Sequence, residues 1–138
     1  MEICSLILAY LPRLTEFSYS GYPPAFSAFE REAEPFFASL HETDSEQRAE
    51  RLIEELETAR RSLSRRESKA RAEREKNVLA LFLSPAAMRF GDPASAFAEE
   101  LSRLWNARYP RNRFYLGNYE TIMKGFDANL LGLPLRKK

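Results

Sequence analysis

Between a charged stretch at 60–76 and Pro85, the chain turns abruptly apolar: Val78, Leu79, Leu81, Phe82 and Leu83 are nearly continuous. A helix that is apolar all round has no face to offer water, so it must be covered on every side. The helix expected over about 72–83, ending before Ser84-Pro85, is therefore the centre of a core, and the rest of the chain has to supply its covers. Pro85 then opens a short turn of helix, Ala86 to Phe90, which Gly91 ends.

The covers are legible as stripes. From about Pro24 to Leu40, Phe26, Phe29, Ala33, Phe36, Phe37 and Leu40 recur at steps of three and four, one face of a helix. Pro35 falls inside it, predicting a bend or a division into two short helices. Thr43 and Glu46 read as a capping box, T-x-x-E, ahead of Ala49, Leu52, Ile53, Leu56, Arg60 and Leu63. In that series only Arg60 breaks the apolar rule, and its stem can still cover apolar surface. Residues 64–76 are polar and helix-permissive, either a continuation of this helix or a connection. Asp92 and Pro93 read as N-cap and first residue of a further helix with Ala94, Phe97, Ala98, Leu101, Leu104 and Trp105 inward, closed by Pro110. Residues 110–117 read as extended or loop. Asn118 caps a last helix, with Tyr119, Ile122, Met123, Phe126 and Leu130 on one face, before Gly132 and Pro134.

These segments predict an all-α fold: a compact bundle of about five helices, with room for one short β-hairpin from 14–20 and 113–117. One domain is expected over residues 1–138, with 1–22 an apolar, irregular N-terminal extension and 133–138 a frayed basic tail. A chain of 138 residues buries roughly two-thirds of its unfolded surface and needs neither disulfide nor metal to hold a core. Residues 1–11 are apolar but too short to span a bilayer. Glu2 stands where a signal peptide would be positive. A helix or strand packed on the core is the expectation there, and no membrane is expected as a partner.

Motifs that carry chemistry are missing or isolated. Structural zinc takes about four Cys or His ligands, and this chain offers Cys4 and His41. Glu50, Glu54 and Glu57 lie three and four apart, more simply read as solvated helix surface. Cys4 with His41 is the one cysteine dyad available, but Cys4 sits in an apolar run where a buried, inert thiol is usual. No G-x-S-x-G elbow and no Gly-rich phosphate loop occurs. No cofactor is expected.

What remains is charge. Residues 42–57 are acidic and 60–76 basic, the latter with Arg60, Arg61, Arg65, Arg66, Lys69, Arg71, Arg74 and Lys76. One reading is a long helix matched to its own dipole and laced by pairs such as Glu57–Arg61, Glu67–Arg71 and Lys69–Glu73. The other is an interaction surface. A second stretch, 105–115, interleaves Trp105, Tyr109, Phe114 and Tyr115 with Arg108, Arg111 and Arg113, as ring-stacking nucleic-acid binders do; Trp105 and Phe114 also suit a core. The net charge of +1 lacks the basic excess of a dedicated polyanion binder.

From Asn77 to Phe126, a little over a third of the chain, the apolar helix reaching Pro85, Phe90-Gly91-Asp92-Pro93, Trp105-Asn106-Ala107-Arg108-Tyr109-Pro110, Tyr119-Glu120 and Gly125-Phe126 together resemble a family of small uncharacterised bacterial proteins from Firmicutes. The resemblance implies a bacterial, cytoplasmic setting and no residue-level role. The expected function is non-enzymatic binding of another macromolecule, protein first, through a surface drawn from Arg60, Arg61, Arg65, Arg66, Lys69, Arg108, Tyr109, Arg111, Arg113 and Tyr115. Self-association as a homodimer belongs to that reading. Nucleic-acid association through 60–76 and 105–115 is the second reading, and an enzyme of unrecognised type the third.

Overall fold

The apolar stretch lies where its composition demands. In the computed structural model, which describes residues 2–16 and 21–124, Val78 to Leu83 are all buried. The segment does not end before Pro85, however. Helix α4 (Arg65–Val78) passes through a π-helical turn (Leu79–Leu83) directly into α5 (Ser84–Met88). Pro85 accounts for the widened turn. It has no N–H for the carbonyl four residues back, that of Leu81, and its ring crowds that carbonyl. The backbone opens so that the Ser84 N–H reaches the Leu79 carbonyl five residues back. The Leu81 carbonyl, which Pro85 cannot serve, accepts from the Tyr22 hydroxyl. Burial holds that hydroxyl's pKa far above the ordinary tyrosine value, so it remains a donor.

The N-terminal run forms α1 (Ile3–Tyr10), with Ile3, Cys4, Leu6, Ile7 and Tyr10 buried. It is helix rather than strand, and it packs on α3 (Ser45–Arg60), on α4 and on α2 (Tyr22–Ala38). Ile3, Cys4, Leu6, Ile7, Tyr10 and Leu11 thus belong to the core. A 3-10 turn (Leu11–Glu16) follows. Helix α2 is not divided by Pro35. The carbonyl that Pro35 deprives is that of Arg31, and both residues are exposed, so water can satisfy it.

Helix starts differ from expectation in an instructive way. Thr43 caps nothing: it lies in a 3-10 turn (Glu42–Asp44), and α3 begins after Asp44 with no side-chain cap. The formed capping box is S-x-x-E at the start of α4, where Ser64 Oγ accepts from the Glu67 N–H and Glu67 Oε1 from the Ser64 N–H. A turn at 61–64 therefore separates two helices where one long one was a reading. Helix α6 (Asp92–Arg108) is preceded by Gly91 with φ 104°, a left-handed backbone that glycine adopts without a Cβ penalty. The N-cap is therefore Gly91, one residue earlier than expected. The short α7 (Tyr119–Lys124) closes the described chain; its expected continuation to Leu130 and the basic tail lie outside the described residues.

The result is an all-α bundle. Helix α3 packs chiefly on α6, which also lies on α5, while α2 covers α5 and the π turn. Trp105, Tyr22, Phe26, Phe29, Phe82 and Phe97 are the largest fully buried side chains. Among the described residues there is no strand. The hairpin expected from 14–20 and 113–117 is not formed by its described part: 14–16 belong to a 3-10 turn and 113–117 are irregular, with Phe114 bonded to α6 and Gly117 to Ser84, while 17–20 lie outside the described residues.

Candidate binding groove

Beside the turn that joins α3 to α4, a groove of about 430 Å³ opens between α4 and the loop after α6. Its walls are Arg60, Arg65, Ser68, Lys69, Ala72 and Glu73 on one side and Tyr109, Pro110, Arg111 and Asn112 on the other. Both arginine-rich stretches, far apart in sequence, meet here. On α4 the lining residues recur at steps of three and four, so one helix face supplies that bank. The capping box at Ser64 fixes where the face begins. The bond from Ser64 also holds the Glu67 carboxyl below its ordinary pKa.

The opposite bank is pinned by hydrogen bonds from α6. Trp105 Nε1 donates to the Asn112 carbonyl at 2.8 Å. Asn106 accepts from the Phe114 N–H at 2.9 Å and donates to its carbonyl at 2.8 Å, and Ser102 Oγ donates to the same carbonyl. Trp105 and Phe114 are buried, so they hold the loop and are not stacking surfaces.

Beneath the groove runs a chain of charges. Arg60 Nε lies 3.1 Å from Glu75 Oε1, and Arg71 Nε 3.6 Å from Glu75 Oε2. Arg60 Nη2 donates to the Tyr109 hydroxyl at 2.8 Å, which donates to Glu57 Oε2 at 2.7 Å. Arg108 Nη1 donates to Glu57 Oε1 at 2.7 Å. The Glu75 side chain has no exposure. Burial pushes its carboxyl up to about 7 although Arg60 and Arg71 pull the other way. Neither carboxylate oxygen receives a directed hydrogen bond, so attraction between the ions acts without the alignment that would offset their dehydration.

Of the ten surface residues expected from sequence, Arg60, Arg65, Lys69, Tyr109 and Arg111 line the groove. Arg60 is no open surface cation: it is 7% exposed, because its position on the buried stripe of α3 carries it inward to Glu75. Arg108 is spent on Glu57, with Glu50 at 3.9 Å. Arg61, Arg66, Arg113 and Tyr115 are exposed but outside the lining. The expected pairs Glu57–Arg61, Glu67–Arg71 and Lys69–Glu73 are replaced: Glu57 turns to Arg108, Glu67 to the cap and Arg71 to Glu75. Among the described residues no ion pair joins Arg65, Lys69 or Arg111.

Glu75 was missed from sequence, yet a signal for it exists. Ala72, Glu75, Leu79 and Phe82 follow helical spacing, so one acid interrupts a buried stripe just as Arg60 interrupts another. Two opposite charges on two inward faces are what a buried pair looks like in sequence.

Other chemistry is not assembled. The groups acting on buried Cys4 are Glu55, Glu75, Glu2 and Arg71, not His41, and burial pushes its thiol up to about 11. His41 is exposed. Among the described residues no three His, Cys, Asp or Glu side chains are grouped to hold a metal ion, and no helix is long and apolar enough to cross a membrane. No known protein family, curated protein or solved structure matches the chain.

Proposed function

We propose that this chain is a non-enzymatic binding protein of the bacterial cytoplasm that engages another protein through the groove between α4 and residues 109–112. The observation that carries this reading is the meeting of the two arginine-rich stretches in one cleft. Arg65 and Lys69 stand on one bank beside Ala72, and Arg111 on the other beside Pro110. A cleft whose banks carry both carbon surface and charge suits a side-chain anchor flanked by polar contacts. A single, buried cysteine fits a reducing compartment.

Nucleic acid is the second reading, and the aromatics weigh against it. Base stacking needs open ring faces. Trp105 and Phe114 are buried, and the Tyr109 ring packs against Trp105 at 4.3 Å with the Arg60 guanidinium 5.4 Å from its centroid. Only Tyr115 of that stretch is well exposed.

A photo-reactive side chain placed at Lys69, with a control at exposed Arg31 on α2, separates the readings in cells. Adducts with a discrete polypeptide from Lys69 and not from Arg31 are expected. Adducts with nucleic acid alone, or equal labelling from both positions, would sink the protein-binding reading.

A further inference from the structure

Resting on that reading, we infer that the occupant of the groove is an acidic polypeptide segment of another protein, with an apolar side chain set between its carboxylates. The cations that remain to be matched decide the class. Arg65 and Lys69 are exposed one helical turn apart, about 6 Å along the α4 axis, and Arg111 faces them across the cleft. Carboxylates four residues apart on a helix, or two apart on an extended strand, repeat at nearly that spacing. On the two banks, Ala72 and Pro110 offer carbon surface for an aliphatic anchor. Glu73 shares the α4 bank and repels acid there, so the acidic end of the segment lies toward Arg65.

Two other occupants fit less well. A nucleic acid meeting only these three cations would neutralise about three phosphates, a weak attachment with a salt slope of roughly −2 to −3. A second copy of this chain would have to offer the acidic face of α3. Its Glu46, Glu50 and Glu57 already face Arg103 and Arg108 of their own α6, at 3.8, 3.9 and 2.7 Å. Within the groove itself Arg65, Lys69 and Arg111 outnumber Glu73, and that local excess suits an acidic occupant.

The test is fluorescence anisotropy at low salt with a labelled synthetic peptide carrying glutamates on both sides of a central leucine. Parallel titrations use the same peptide with glutamine for glutamate and a single-stranded oligodeoxynucleotide. The glutamate peptide is expected to bind, and the glutamine version to bind at least about tenfold more weakly, since exposed ion pairs contribute modestly each but sum across the rim. The variant K69E/R111E, altered only at exposed positions and checked for unchanged helical circular dichroism, is expected to lose a similar factor. Equal binding by K69E/R111E, preference for the oligonucleotide, or dimerisation that excludes the peptide would overturn the inference. If Lys69 cross-links a polypeptide in cells while the glutamate peptide fails to bind, protein binding through the groove stands and the acidic segment falls.

Discussion

The continuous helical rod from Arg65 to Met88 is gripped in two different ways. At the π turn the grip is aromatic: Phe82 meets Tyr10, Tyr22 and Phe29 with ring centroids 5.1–5.5 Å apart, and one hydroxyl satisfies one orphaned carbonyl. One turn earlier the grip is ionic: Glu75 lies between Arg60 and Arg71, and the chain of contacts runs on through Tyr109 and Glu57 to Arg108. Rings gain from being buried, so the aromatic seam is stabilised by the same burial that encloses it. Ions lose hydration when buried, so burial works against the charged form of Glu75 and the ionic seam depends on its protonation. The first should be insensitive to pH and tolerant of small changes. The second should be sensitive to both.

The largest difference is expected for Arg60→Ala. It leaves Glu75 buried without its nearest counter-charge and removes the donor to the Tyr109 hydroxyl, at a cost of about 3–5 kcal/mol near pH 8. The loss should shrink toward pH 5, where Glu75 can take up a proton. Replacing both ions, as R60M/E75L, should recover most of the stability, because an apolar pair of similar volume avoids the dehydration. Urea unfolding of the variants at both pH values checks this; a double variant as weak as Arg60→Ala would mean that the seam is held by shape and not by charge.

The pH dependence of the parent chain follows from the same site. Glu75 titrates at about 7 in the fold against 4.5 when exposed, so the folded state binds its proton more tightly than the unfolded chain does. The stability contributed by this site is therefore full below about pH 4.5 and declines as pH rises to 7, by roughly 3 kcal/mol. Glu75→Gln, which cannot ionise, should flatten that part of the profile and be the more stable form above pH 7. A profile unchanged by Glu75→Gln would place the titration elsewhere.

At the aromatic seam the effect is smaller. Tyr22→Phe keeps the ring and removes the donor to Leu81, leaving a buried carbonyl unpaired at about 1–3 kcal/mol. In a Pro85→Ala background the helix can regain an N–H for that carbonyl, so Tyr22→Phe should cost markedly less there. A full penalty in both backgrounds would show that the hydroxyl, and not Pro85, maintains the π turn.

The same contrast explains what could be read from the sequence. The apolar helices were legible because burial writes a periodic stripe, and 22–38, 45–60, 78–83 and 92–108 all carry one. The ionic seam was obscure because Arg60 and Glu75 lie on different helices, and each alone resembles a stray surface charge. The groove was half legible. Both of its banks stood out as arginine-rich, but their meeting depends on the turn at 61–64, marked only by Ser64-x-x-Glu67, and on the ties from Trp105, Asn106 and Ser102 to the loop, which have no local signature. The π turn could not be read because a proline after an apolar run usually marks an end, and the donor that lets the helix continue comes from Tyr22, fifty-nine positions earlier.

The finest comparison is between two copies of one motif. Thr43-x-x-Glu46 and Ser64-x-x-Glu67 satisfy the same capping pattern, yet only the second is formed. Ser64 arrives in an extended conformation, φ −63° and ψ 163°, which aims its oxygen at the first free N–H groups of α4. Thr43 arrives already coiled in a 3-10 turn, where the Asp44 N–H is satisfied by the His41 carbonyl at 3.0 Å. The approach of the preceding backbone, not the motif, decides whether the side chain caps. Ser64→Ala should therefore cost about 1 kcal/mol, while Thr43→Ala, with no cap to lose, should stay within about 0.5 kcal/mol of the parent. Matched urea midpoints measure the two together. Equal losses would mean that Thr43 caps α3 in solution and that the 3-10 turn is not the resting form of that helix start.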